Sequence, residues 1–250
     1  MLNLLRSDFY RLFRSKSYYI CMFVTALLVV LGIIVASLTS RIDSTINVSL
    51  PNGLEYGLSA FTGNIPMMLG IIIGIFVAAE FTHGTMKNVV SKGFSKTKIY
   101  LSKYITMLAA AYIYLLFIWV IATIGATIIS GEFGAFNGKY IAAIGIELLL
   151  YAGLIALLLL VAMVVKNLGG VIAINIIYIL LVDQLFFSLL QLIVKNKIEF
   201  TKYSLLNNIL FYSNNTAVGS DYLRSAIIAV AVFVVATAIG IFAFKKSDVK

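Results

Sequence analysis

The chain alternates long apolar stretches with short polar segments that carry most of its charge. A membrane-spanning helix needs about 20 mostly apolar residues, because each residue rises about 1.5 Å and the hydrocarbon core is about 30 Å thick. Six stretches reach this length, and four of them contain no charged residue. The predicted spans are residues 17–40, 56–79, 104–129, 141–165, 168–194 and 225–244.

Composition supports the same interpretation. Hydrophobic residues make up 62% of the chain and charged residues only 12%, whereas soluble domains average about 45–50% and about 25%. A soluble fold cannot bury this much apolar surface. The sequence therefore predicts an all-α membrane protein, with residues 1–250 forming a single transmembrane domain.

Basic residues predict which side each polar segment occupies. Thirteen of the nineteen Lys and Arg residues lie in the two terminal segments, in the loop after span two and in the turn after span four. Because Lys and Arg concentrate on the cytoplasmic side, both termini are predicted to be cytoplasmic in a multi-pass protein of the plasma membrane. The net charge of +9 lies at the span ends, so it does not indicate nucleic-acid binding.

Two polar segments outside the spans are predicted to have structure. Residues 1–16 place Leu2, Leu5, Phe9, Leu12 and Phe13 at three- and four-residue spacing, which predicts an amphipathic elbow helix in the membrane interface. Residues 195–224, rich in Asn, Ser and Tyr, are predicted to form an irregular or partly helical external cap.

The sequence contains little that would support catalysis. The nearest approach to a phosphate-binding loop, residues 134–140, has the wrong glycine spacing and places Tyr140 where Ser or Thr is required. His83 is the only histidine and Cys21 the only cysteine, so no Cys/His metal site is expected. We expect no enzyme activity, no catalytic residue, no metal and no bound cofactor in this chain.

Polar residues inside the spans are candidates for a substrate path, because an ionisable group there is costly unless it has a partner or a function. Two hypotheses remain open: a polar stripe favouring cationic or amphipathic cargo, or hydrogen bonds between helices. Glycines within the spans would allow helices to pack closely. The path candidates are Glu147, Asn175, Asp183 and Gln184, and the packing candidates are Gly70, Gly74, Gly153, Gly169 and Gly170.

The loop after span two has the pattern of a short amphipathic helix at residues 84–93. Thr85 is predicted to cap its beginning and Gly93 to end it, after which Ser95 caps the helix leading into span three. Met86, Val89 and Val90 form an apolar face, opposite the polar residues Lys87, Asn88, Ser91 and Lys92.

This loop resembles the segment after span two in permease subunits of ABC-2 type ABC transporters. The similar residues are Glu80-Phe-x-x-Gly84-Thr85-Met86-Lys87, followed by Gly93-Phe-Ser95-Lys96 and by Lys103 at the beginning of span three. The order of elbow helix, six spans and a longer external segment before span six agrees with this family over nearly the whole chain.

The resemblance implies a type V exporter fold and a partnership with a separate cytoplasmic ATPase, present in two copies, which holds ATP and magnesium. A second permease, identical or a sibling, would complete the path within the membrane lipids. Glu80 would mark the cytoplasmic boundary and pair with a nearby lysine or the elbow helix. The coupling residues would be His83, Gly84, Thr85, Met86, Lys87, Val90, Lys92, Phe94 and Lys96.

Small permeases of this kind in bacteria often export antimicrobial peptides or give resistance to them, so an amphipathic or cationic peptide is the expected cargo. The alternatives are an ABC-2 exporter of a drug, lipid or ion, an ATP-independent secondary transporter or channel, and a membrane scaffold. A secondary transporter usually contains internal repeats, and residues 1–125 and 126–250 show none.

Overall fold

The computed structural model describes residues 1–42, 51–194, 199–212 and 219–247. Its regular elements within these ranges are all helical. The α-helices are α1 (Leu2–Phe13), α2 (Lys16–Ile42), α3 (Gly53–Ser59), α4 (Ile65–Ile73), α5 (Ala79–Thr82), α6 (Thr85–Ser91), α7 (Lys96–Ser130), α8 (Gly138–Val165), α9 (Leu168–Ile177), α10 (Asp183–Ile193), α11 (Leu205–Tyr212) and α12 (Gly219–Lys246).

In these ranges six helical segments are long and apolar enough to cross a membrane, which confirms the prediction of an all-α membrane protein with six spans. Of the predicted cap, residues 195–198 and 213–218 lie outside the described ranges; the remainder is helical in part, with a 3₁₀ turn at Phe200–Tyr203 before α11. The spans are Lys16–Thr39, Ile65–Thr82, Lys96–Ser130, Gly138–Val165, Leu168–Ile193 and Gly219–Lys246.

Span two begins at Ile65, so its predicted beginning at residue 56 is wrong. The preceding apolar residues form the separate helix α3, which packs against α7 and is linked to span two by a 3₁₀ turn. Gly57 permits this packing, because a Cβ there would lie 2.2 Å from the Thr123 hydroxyl oxygen. Pro66 then occupies the first turn of α4, where its missing N–H costs nothing.

Spans two, three and four form the centre of the bundle, whereas spans one, five and six expose most of their residues. The exposed residues are largely Leu, Ile, Val and Phe, which suits contact with lipid tails. Span four packs along span six, and span one packs along span three.

Glycines bring helices close together at two places, as predicted. A Cβ at Gly153 would lie 3.0 Å from the Ala229 carbonyl oxygen of α12, and one at Gly74 would lie 2.6 Å from Ile172 of α9. Gly70 likewise faces Asn175 of α9. Gly169 faces open space and Gly170 meets only the adjacent α8–α9 turn, so the prediction fails for this pair.

Spans two and five each contain a wider turn that hydropathy does not reveal. Residues Gly74–Ala78 and Tyr178–Val182 form π-helical segments, which often occur at functional positions. The first lies just before Glu80 and the second just before Asp183. Each wider turn changes the direction in which the following acidic side chain projects.

Candidate functional site

Both described chain ends meet the loop after span two at one end of the bundle, which we call the terminal end. The Lys103 side chain, near the beginning of α7, contacts Asp8 of α1. Lys96, two turns earlier, donates hydrogen bonds to the carbonyl oxygens of Lys245 and Ser247 at 3.0 and 2.8 Å. These contacts place α1, α6, the beginning of α7 and the end of α12 together.

Helix α6 is bounded on each side by a glycine with positive φ, Gly84 at +68° before it and Gly93 at +82° after it. Glycine adopts this conformation without a Cβ penalty. The predicted cap by Thr85 is wrong: Gly84 is the capping residue, and the Thr85 hydroxyl donates to the Glu80 carbonyl oxygen at 3.2 Å. The cap by Ser95 is confirmed, since its hydroxyl accepts the Lys98 backbone N–H.

The apolar face of α6 points into the bundle. Met86 is 1% exposed, and Val89 and Val90 pack against the core, so these residues anchor the helix. Met86 therefore does not fit its predicted role as a contact with a partner. The opposite face, with Lys87 and Lys92, is exposed.

The other predicted coupling residues differ in accessibility. His83 and Thr85 are exposed, whereas Gly84 and Phe94 are half-buried. Lys96 is also half-buried, and its ammonium group binds one carbonyl oxygen in the last turn of α12 and one just after it, as basic side chains at helix C-termini commonly do. Lys96 thus holds the beginning of α7 against the end of α12, so its ammonium group already has partners within this chain.

Four charged residues at the terminal end form a cluster centred on Glu80. Lys103 lies 2.5 Å from a carboxylate oxygen of Glu80 and 2.5 Å from one of Asp8. Arg11 also forms an ion pair with Glu80. The predicted pairing of Glu80 with a nearby lysine or with the elbow helix is confirmed in both forms. We call Asp8, Arg11, Glu80 and Lys103 the Glu80 cluster.

Arg11 connects α1 to the π-helical segment of span two as well as to Glu80. It donates a hydrogen bond to the Phe76 carbonyl oxygen at 3.4 Å, and its guanidinium carbon lies 4.5 Å from the centre of the Phe76 ring. Burial lowers the pKa of the Arg11 guanidinium from its ordinary value, while neighbouring Asp8 raises it. The cluster therefore joins the elbow helix to spans two and three.

Sequence reasoning missed Asp8. The buried residues of α1 are Leu4, Asp8 and Leu12, at a spacing of four, whereas Leu2 and Phe13 are exposed. The predicted apolar face is therefore only partly the face that packs against the protein. One signal was available: Asp8 is the only acid in the first 42 residues, and it lies one turn from both leucines.

Phe81, next to Glu80, carries further contacts of this segment. Its ring meets that of Phe244 edge to face, with centroids 6.0 Å apart. Phe244 is fully buried near the end of α12. The Lys166 ammonium group, in the turn between α8 and α9, lies 5.9 Å from the Phe81 ring centre. Residues 80–81 thus contact the elbow helix, span three, span six and the turn before span five.

At the far end of the bundle, Asp183 is bonded to residues of the chain itself. The hydroxyl groups of Tyr178 and Ser204 donate to its carboxylate oxygens, as does the backbone N–H of Leu206. The Ser204 hydroxyl also accepts the Asn207 N–H at 3.0 Å. Asp183 therefore fastens the beginning of α11 to span five.

The remaining polar candidates lie in different surroundings. Asn175 is buried and donates to the Gly70 carbonyl oxygen at 3.2 Å. Gln184 is exposed and lines a cleft between the beginning of span two, the π-helical segment of span five and α11. Thr62 and Asn207 add polar groups to this cleft, and its other lining residues are mainly apolar.

Glu147 is fully buried in span four. Within the described ranges neither of its carboxylate oxygens has a hydrogen-bond partner. A buried carboxyl group without a partner is costly. The structure therefore separates Glu147 from Asn175, Asp183 and Gln184 rather than placing the four candidates along one stripe.

The six spans, the elbow helix and the Glu80 cluster define a multi-pass membrane protein. At its terminal end, side-chain contacts join the elbow helix, the α6 segment and several spans. The sequence model of a family described as ABC-2 family transporter protein matches residues 4–183. The chain belongs to this family, and it is therefore a permease subunit of an ABC transporter, which implies association with an ABC ATPase. No curated protein sequence matches the chain.

Proposed function

We propose that this chain is the membrane subunit of an ATP-driven exporter, with ATP hydrolysed by a separate ATPase present in two copies. A second permease, identical or a sibling, completes the transport path. The membrane is the bacterial plasma membrane, and the terminal end faces the cytoplasm, which the distribution of Lys and Arg supports. The chain itself performs no catalysis and binds no ATP.

The observation that carries this proposal is the position of Glu80. It directly precedes the segment that leads into α6, and it is paired with Arg11 of the elbow helix and Lys103 of span three. A displacement of α6 would be transmitted to span two through the peptide chain. It would be transmitted to span three and to the elbow helix through the ion pairs of Glu80. Phe81 extends the same connection to span six.

The surface that would dock on the ATPase is the exposed side of this segment. His83, Thr85, Lys87 and Lys92 project from it, while Met86 and Val90 hold the helix against the bundle. Exposed lysines suit a partner with acidic groups at the interface, where complementary charge speeds association and fixes orientation. Phe94 contributes an apolar edge beside them.

We propose an amphipathic peptide as the cargo. The cleft beside Gln184 supports this, because it combines amide and hydroxyl groups with apolar side chains. Asp183 and Glu147 contribute little to selecting a cationic cargo in this conformation, since Asp183 fastens α11 and Glu147 is sealed inside the bundle. A drug or lipid with the same amphipathic character is the alternative cargo.

Purification of the chain from its native membrane, with mass spectrometry of any ABC ATPase that co-purifies, tests the proposal. The wild-type chain is expected to retain the ATPase in roughly equal amount. The paired variant Lys87→Glu with Lys92→Glu is expected to lose about tenfold or more in affinity, because opposite charges are replaced by like ones. Lys139→Glu, an exposed lysine at the far end, is the matched control.

Two results would contradict the proposal. If the paired variant retains the ATPase as well as the control does, α6 is not the docking element. If the purified chain transports without any ATPase, the protein is a secondary transporter. Membrane insertion of each variant is measured in parallel, so that loss of binding is not confused with loss of protein.

A further inference from the structure

A cleft lies at the terminal end between the elbow helix and span two. Its polar side is formed by Arg11, Ser15, His83 and Thr85, and its apolar side by Ile75, Phe76 and Ala79, with Glu80 between them. This division into a polar and an apolar half is the starting point for assigning an occupant.

The two halves lie at different depths in the membrane. Ser15 immediately precedes span one and His83 immediately follows span two, so both lie at the level of the lipid headgroups. Ile75 lies seven residues before the end of span two, which places it about 10 Å deeper, at the level of the acyl chains. The cleft therefore matches a phospholipid in both polarity and length.

Hydrogen-bonding groups on the polar side remain available. Within the described ranges only the Nη2 atom of Arg11 is engaged, by Glu80 and by the Phe76 carbonyl oxygen. The side chains of Ser15 and His83 form no hydrogen bond in the same ranges. Arg11 has a side-chain exposure of 44%, so its remaining N–H groups can reach an anion in the cleft.

The charge balance also suits an anion. Among the described residues Glu80 is the only acid that lines the cleft, and the two acids of the Glu80 cluster, Asp8 and Glu80, are balanced by Arg11 and Lys103. The first sixteen residues carry three further basic residues, Arg6, Arg14 and Lys16. Guanidinium groups bind phosphate oxygens well, because their parallel N–H groups match the oxygen spacing.

We infer that this cleft binds an anionic phospholipid, with its phosphate among Arg11, Ser15 and His83 and one acyl chain along Ile75 and Ala79. The lipid bridges the elbow helix and span two beside the Glu80 cluster. This site shares His83 and Thr85 with the edge of the proposed docking surface but does not include Lys87 or Lys92, and it does not depend on the identity of the cargo.

The test uses the full chain reconstituted in vesicles of equal parts phosphatidylcholine and phosphatidylglycerol. Lipids retained after gentle extraction are counted by native mass spectrometry. The wild-type chain is expected to retain one phosphatidylglycerol in preference to phosphatidylcholine. Ser15→Glu places a carboxylate against the phosphate and is expected to lower this retention about tenfold.

Two further variants separate the site from general effects. Ser15→Ala removes one hydrogen bond without adding charge and is expected to lower retention about threefold, so the proposal remains testable if Ser15→Glu folds poorly. Lys98→Glu changes an exposed charge at the same end of the bundle but outside the cleft, and is expected to retain the lipid.

Three outcomes would overturn the inference. The first is no preference for phosphatidylglycerol by the wild-type chain. The second is an equal loss in Lys98→Glu, which would indicate a general attraction to negative membranes. The third is complete displacement by inorganic phosphate, which would indicate a site for a free anion instead of a lipid.

Discussion

Lys103 and Glu80 form a buried ion pair between spans two and three, with Nζ 2.5 Å from the carboxylate oxygen. The Lys103 side chain is 1% exposed and that of Glu80 is 3% exposed. Because Lys103 also pairs with Asp8, one ammonium group balances two carboxylates from two other elements. Removing it would leave both acids short of a partner.

We therefore predict that Lys103→Met lowers the free energy of unfolding by about 3–5 kcal/mol, the typical cost of breaking a buried ion pair. Thermal unfolding in detergent measures the change. Lys98→Met, which changes an exposed residue of the same helix, should be within about 0.5 kcal/mol of wild type.

A triple variant tests whether the loss comes from unpaired charge. Replacing Asp8, Glu80 and Lys103 together by Asn, Gln and Met should recover much of the lost stability. If stability does not recover, the loss in Lys103→Met comes from altered packing and not from unpaired charge.

Gly153 allows spans four and six to approach closely, and a side chain there should separate them. Gly153→Val is expected to lower the free energy of unfolding by about 1–3 kcal/mol, because its added atoms meet the Ala229 backbone. Gly145→Val in the same helix is the matched control, since a Cβ there meets nothing within 4 Å. Equal effects in both variants would show that helix propensity, not contact, explains the change.

Asp183 is predicted to act as a structural anchor of α11. Asp183→Asn weakens the bonds from Ser204 and the Leu206 N–H, and is expected to cost about 1–3 kcal/mol of stability. Limited proteolysis within residues 199–212 should become faster as well. Gln184→Ala, the exposed neighbour, should leave both readouts unchanged.

A different result for Asp183 would favour its role in the substrate path. If Asp183→Asn is as stable as wild type but exports a cationic peptide more slowly than a neutral one, the carboxylate recognises cargo. The comparison needs matched peptides that differ only in charge.

The Glu147 carboxyl group has no hydrogen-bond partner within the described ranges, so removing it should not weaken the fold. Glu147→Met, similar in length, is expected to raise the free energy of unfolding by about 1 kcal/mol or more. Leu150→Met, also buried in α8, measures the general cost of substitution there. A less stable Glu147→Met would show that the carboxyl group has a partner in another conformation or subunit.

Hydropathy predicted the number of spans because a lipid-spanning helix must be long and apolar. It misplaced the beginning of span two, since α3 is itself apolar and lies against α7 rather than in line with α4. The π-helical segments could not be predicted, because one extra residue per turn does not change the mean polarity of a stretch.

The pattern around α6 was predictable because Gly84 and Gly93 have a strong local preference for positive φ. The Glu80 cluster was predicted only in part. Asp8 and Lys103 are distant in sequence, and a lysine at a span end can equally well serve as a topology signal. Which partner a charge selects depends on tertiary packing, which a single sequence does not display.

The hydrogen bonds from Lys96 to the end of α12 have a consequence for the order in which the protein is assembled. The base of the α6 segment is fixed by carbonyl groups of residues 245 and 247, which are synthesised after all six spans. A chain interrupted before span six has every residue of α6 but lacks the contact that holds its base. The surface offered by α6 is thus completed only after span six has been synthesised.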